Sequence, residues 1–142
     1  MVYVADLSKL LQGSPNRNYW QGKLEWNGVC YITTTALNAI TDFATPDTYQ
    51  RIPMPNQGVV SDILLYQDRL YVLSFVINED STCSAVIYSS ATGAEGSFAE
   101  VAAFDYGGMP IAFDFDGTDF YVGIGMGLAD QAKAGMLLRV KA

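Results

Sequence analysis

Four aspartates lie close together in the C-terminal third of the chain: Asp105, Asp114, Asp116 and Asp119. Closely spaced carboxylates offer the oxygen ligands that a hard cation such as calcium takes, so Asp114, Asp116 and Asp119 are the candidate metal residues. No EF-hand-like loop with a closing Glu follows them, and Asp116-Gly117 is by itself a turn signal. The fifteen Asp and Glu residues also admit a weaker reading, a pair of acids held ~5–10 Å apart across a cleft for glycoside hydrolysis. Most other catalytic chemistry is removed by composition. The chain has no histidine, hence no Ser-His-Asp triad, no Cys-His nucleophile and no histidine-rich zinc site. It has no glycine-rich phosphate loop ending in Lys and Ser or Thr. Gly123-Ile124-Gly125-Met126-Gly127 has the glycines of a nucleotide loop but follows a strand pattern with no helix after it. It reads as a strand end or bulge. The expectation is a protein that is not an enzyme and carries no cofactor.

Aromatic side chains are the second candidate chemistry. They include Tyr19, Trp20, Trp26, Tyr31, Tyr66, Tyr71, Tyr106 and Tyr121. A glycan-binding module would set such rings on an exposed shelf, whereas rings at repeated positions ordinarily pack between sheets. Tyr19-Trp20 stands outside the repeated pattern described below, which makes it the candidate exposed pair.

Composition bounds the partners. Half of the 142 residues are hydrophobic and 13% are aromatic, enough to bury a core that offsets chain entropy. Charged residues make up 16%, below the ~25% usual for globular domains, as expected of a surface partly covered by other protein or rich in uncharged polar residues. Eight Lys and Arg are scattered against fifteen acids, for a net charge of −7. That disfavours nucleic acid and an anionic membrane surface as partners. No apolar run approaches the ~20 residues of a membrane span, and Met1 to Asp6 lacks the features of a signal peptide. Cys30 and Cys83 sit in strand-like apolar runs, as free buried thiols do.

Three segments share one pattern: Leu24 to Ile32, Leu64 to Val72 and Phe113 to Val122. Each runs apolar–spacer–aromatic, then a short polar turn, then apolar–Tyr–β-branched. Asn27-Gly28 and Asp116-Gly117 reach the positive φ of tight hairpin turns, and Gln67-Asp68 is a poorer version. The third segment reads with one extra residue in its turn. Tyr31, Tyr71 and Tyr121 are then equivalent, each on the second strand of its unit. The middle unit parses into strands 62–67, 69–77, 84–90 and 100–105. The first is less regular, with a third strand near 41–44, a helical turn at 36–40 and a fourth strand near 49–54. The third has strands near 111–115, 119–124 and 136–141 and no fourth. Residues 2–7 read as an extra N-terminal strand carrying Val2, Tyr3, Val4 and Leu7.

Repeat units at about 18–56, 57–106 and 107–142, with several strands each, resemble β-propeller repeat proteins. The resemblance lies in the hairpin pattern alone. There is no Trp-Asp signature, and Asp114 to Phe120 lacks the leading Ser and the spacing of a sialidase-type Asp box. It implies an all-β single domain, a propeller-like arc of about three antiparallel four-stranded sheets, with a β-sandwich or meander as the alternative. Such an arc leaves sheet edges open, and residues 2–7 could pair in their own chain or join copies head to tail. The expected function is a structural or protein-interaction module within a larger assembly of copies of itself or other chains. A glycan-binding module is the alternative and a carboxylate hydrolase fragment the weaker one. The acidic, Gly/Thr/Asp-rich look is similar to phage virion and secreted surface proteins.

Overall fold

The computed structural model describes residues 22–45 and 48–142. The first sheet is a meander of β1 (Lys23–Trp26), β2 (Val29–Thr33), β3 (Leu37–Ile40) and β4 (Gln50–Ile52). The second is β5 (Val59–Tyr66), β6 (Arg69–Ile77), β7 (Cys83–Ser90) and β8 (Ala99–Tyr106). The third is β9 (Gly108–Phe115), β10 (Asp119–Gly127) and β11 (Leu137–Lys141). Every pairing is antiparallel. A short 3-10 turn, Gln131–Lys133, lies between β10 and β11. The three sheets stack face to face, with one core between the first and second and another between the second and third. Tyr31, Tyr71 and Tyr121 lie on β2, β6 and β10, the second strand of each sheet.

The middle sheet packs against a core on each face, and its strand β6 shows why. From Leu70 to Phe75 every residue is buried. Leu70 and Val72 point into the first core, while Tyr71 and Leu73 point into the second. A run rich in aromatic and β-branched residues suits a strand with no solvent face. Ser74, the polar member, donates its hydroxyl to Asn56 Oδ1 at 3.0 Å, so its burial leaves no unpaired donor.

Register carries an unexpected feature. Tyr31 pairs with Leu24, Tyr71 with Leu64 and Tyr121 with Asp114, so the tyrosine stands at the same offset from its partner in all three hairpins. The third turn therefore has no extra residue, which corrects the sequence alignment. Asp116 N–H bonds Asp119 C=O at 3.2 Å, leaving Gly117-Thr118 as a two-residue turn. Gly117 alone has positive φ there, as in a type II′ turn, whereas Asn27-Gly28 and Gln67-Asp68 are positive at both positions, as in type I′. What shifts is the phase of the apolar residues, and a one-residue phase shift moves them to the opposite face. Leu24, Trp26, Leu64 and Tyr66 share a face with their tyrosines, but Phe113 and Phe115 share one with Phe120 and Val122, packing back on the second sheet.

Two strand expectations in the first sheet are overturned. Residues 37–40 form β3 rather than a helical turn, and 41–45 form the turn that follows. All four β3 residues are buried, which erases the alternation that would have marked a strand. Asn38 is among them. Its Nδ2 donates to Ile32 C=O at 3.1 Å and Thr34 Oγ1 at 3.0 Å, tying down the β2–β3 connection. At Gly123 to Gly127 the β9–β10 register slips twice, as a bulge requires.

Two glycine substitutions separate turn strain from crowding. Gly28 has φ +81 with open space where a Cβ would go; Gly117 has φ +95, and a Cβ there would collide with the Tyr66 hydroxyl. Gly28→Ala is expected to cost about 1 kcal/mol. Gly117→Ala is expected to cost about 1–3 kcal/mol more, as overpacking does. Urea unfolding of both variants checks this, and equal losses would show that Tyr66 does not seat on the third turn.

Candidate functional site

The sequence candidates scatter. Tyr19, Trp20, Val2, Tyr3, Val4 and Leu7 lie outside the described residues. Asp114, Asp116 and Asp119 lie at the β9–β10 hairpin and serve it. Asp116 Oδ1 accepts the N–H groups of Thr118 and Asp119, both at 2.8 Å, and its Oδ2 accepts the Tyr121 hydroxyl at 3.1 Å. Those donors hold the Asp116 carboxyl below its usual range and, through the same bond, raise the Tyr121 phenol. Asp119 pairs with Arg139 at 3.8 Å. Among the described residues no three acidic or cysteine side chains are grouped to hold a metal ion. Cys30 and Cys83 are both free, Cys83 buried and Cys30 half-buried.

The aromatics at repeat positions join sheets. Trp26 and Tyr31 are buried in the first core, so they form no exposed shelf. Trp26 Nε1 donates to Asp68 Oδ1 at 2.8 Å, which places the first sheet's indole on the second sheet's turn. Tyr66 repeats the move on the third sheet's turn at Gly117. In the third sheet the corresponding residue is Asp116, which folds onto its own Tyr121 instead.

Sequence reasoning missed Asp62. It follows a bulge at Ser61 in β5, and its side chain spans two sheets. Oδ2 accepts Phe113 N–H in β9 at 3.0 Å, and Oδ1 accepts Ile63 N–H at 2.9 Å. Gly22, just before β1, backs so closely on Ile63 and Asp62 that a Cβ would overlap them. The first strands of the three sheets thus gather around this carboxylate. Burial raises its pKa above the ordinary value, the two backbone donors oppose that, and the Asp114 charge adds to it. With both oxygens engaged, Asp62 acts as a tie between sheets rather than as a proton donor.

Beside this junction, at one end of the sheets, is a cavity of about 320 Å³. Thr33 at the end of β2, Thr34 and Thr35 of the β2–β3 connection, the start of β5, Phe75 of β6, the start of β9 at Met109 and Pro110, and Met126 of β10 line it. Among the described residues, no lining side chain is ionisable. Thr35 has φ +113, an outlier for a β-branched residue that costs about 1–3 kcal/mol. Its C=O accepts Val60 N–H at 3.0 Å in an isolated bridge between the first two sheets.

The same end carries most of the exposed large hydrophobic side chains among the described residues. Eight large hydrophobic side chains are exposed among the described residues. Six of them, Val59, Val76, Ile77, Met126, Met136 and Leu137, lie where β5 and β11 start and β6 and β10 finish. Leu137 is 72% exposed.

No family model, no curated protein and no solved structure matches this chain. The candidate site therefore rests on its own geometry.

The raised Asp62 gives a pH test with a definite sign. A carboxyl whose pKa is higher folded than unfolded binds its proton more tightly in the native state. Its contribution to stability is full below the unfolded pKa and is lost as pH rises through the folded one. Asp62→Asn keeps an acceptor for Phe113 N–H and removes the titration. Its melting midpoint, relative to the parent, is expected to rise as pH goes from the acid side of the carboxylate range to neutrality. A difference that stays flat with pH would show that Asp62 does not titrate out of its ordinary range.

Proposed function

We propose that the chain is a non-enzymatic protein-interaction module, a propeller-like arc of three blade-like sheets that associates with copies of itself through the open end of its sheets. One observation carries this: the gathering at that end of six of the eight large hydrophobics exposed among the described residues. Soluble monomers seldom cluster exposed apolar side chains without a partner, and an isologous dimer is the commonest way to cover such a patch.

The faces of the stack support the end, rather than a further sheet, as the docking place. Lys23 and Glu25 point away from the core on β1, as do Asp114 and Asp116 at the end of β9. On the far side of the first sheet, Ile32 and Ile40 are already buried. Polar outer strand faces are what capping units of a stacked array require. An added fourth sheet would strand these carboxylates, so a ring built by stacking copies face to face is disfavoured. The third sheet has three strands among the described residues where the others have four. An added strand beside β11 is the role proposed for Val2, Tyr3, Val4 and Leu7, in the same chain or in a copy.

Native mass spectrometry with analytical ultracentrifugation tests the reading. The parent chain is expected to form a dimer or larger oligomer. A variant carrying Ile77→Lys, Met136→Lys and Leu137→Lys, all at exposed positions, is expected to keep its melting midpoint. Each buried aliphatic side chain is worth about 1.5–3 kcal/mol, so association should weaken more than about a hundredfold. A parent that stays monomeric at every concentration overturns the proposal.

A further inference from the structure

We propose that the cavity at the junction of the three sheets binds an uncharged ring compound bearing one hydrogen-bonding group, anchored by Thr35. Size sets the first limit. A cavity of ~150 Å³ takes benzene, so about 320 Å³ holds a ring with substituents. It lies at the small end of the range for ligand pockets, ~300–1,000 Å³.

Chemistry sets the second limit. The wall contains Val59, Val60, Phe75, Met109, Pro110 and Met126, and among the described residues it offers no charge to pair with an ionic ligand. A charged group would be desolvated there without compensation. Met109 and Met126 add unbranched, polarizable side chains that adapt to a ring.

The hydroxyls set the third. Thr33 Oγ1 accepts Gly22 N–H at 2.8 Å, Thr34 Oγ1 accepts Asn38 Nδ2–H at 3.0 Å, and the Ser61 hydroxyl faces Leu73 C=O at 3.5 Å. Those three are engaged by the protein. The Thr35 hydroxyl makes no hydrogen bond within the described residues, yet Thr35 lines the cavity on a backbone held at φ +113. One unengaged hydroxyl in an apolar wall selects a ligand with one polar atom, because a second would go unpaired.

The probes are toluene and p-cresol, which differ by one hydroxyl, followed by titration with amide-detected NMR. Titrations use the parent and the Ile77→Lys, Met136→Lys, Leu137→Lys variant, none of whose changed positions lines the cavity. Saturable binding is expected, with shifts at Thr33–Thr35 and Val59–Ser61 and with p-cresol tighter than toluene by about threefold to tenfold, the worth of one neutral hydrogen bond. Thr35→Val is expected to abolish that preference and leave toluene binding in place. Met126→Trp, at the exposed mouth, is expected to block both ligands whether or not Thr35→Val folds. Binding to the variant alone still supports the site, since a neighbouring copy then covers it in the parent. Absence of saturable binding in both proteins, shifts elsewhere, or an undiminished p-cresol preference in folded Thr35→Val overturns the proposal.

Discussion

Tyr31, Tyr71 and Tyr121 each face a partner seven residues earlier, and the whole stack depends on that fixed register. Once the turn length is constant, the only variable is which of two alternating residue sets is apolar. In the first sheet's β1 it is the set facing the second sheet, Leu24 and Trp26. In the middle sheet's β5 both sets are apolar inward of its tip, with Ile63 on one side and Leu64 on the other. In β9 the set is reversed, so that Phe113 and Phe115 face back. The two end sheets therefore carry Lys23, Glu25, Asp114 and Asp116 outward, while the middle sheet packs on both faces inward of its exposed strand ends.

That phase change is visible in the sequence but easily misread. Aligning Phe113-Asp114-Phe115 with Leu24-Glu25-Trp26 by residue type forces an extra residue into the turn. Aligning by Tyr121 does not. Residue type prevails because aromatics are the strongest signal in the repeat, and a single strand does not reveal which face will be buried. The middle unit is legible to within a residue in its last three strands, which are long and separated by polar turns or loops, while β5 begins at Val59, three residues before the strand read at 62–67. The first unit is not. Its short β3 is buried throughout, and the good helix formers Ala36, Leu37 and Ala39 sit in it or beside it, so the strand's period is hidden.

The candidate site is legible only by exclusion. The missing histidine and scattered cations are plain from composition. Asp62 is not, because its role arises from a bulge and from an N–H on another sheet. Thr35 is not, because a threonine in a polar Thr-Thr-Thr run gives no sign of a left-handed backbone. The Asp114–Asp119 cluster stands out through its spacing, and its Asp116 is spent on closing a hairpin.

The bond from Trp26 to Asp68 has a kinetic consequence. Gln67 and Asp68 both hold positive φ without a glycine, so the second hairpin's turn is disfavoured in isolation. Its carboxylate meets the indole only after the first sheet is in place. The third turn, which has Gly117, closes on local terms. A long hairpin at the centre of the stack is thus poorly able to nucleate alone. Its formation waits on contacts distant in sequence, which slow the search and make the first two sheets rise and fall together.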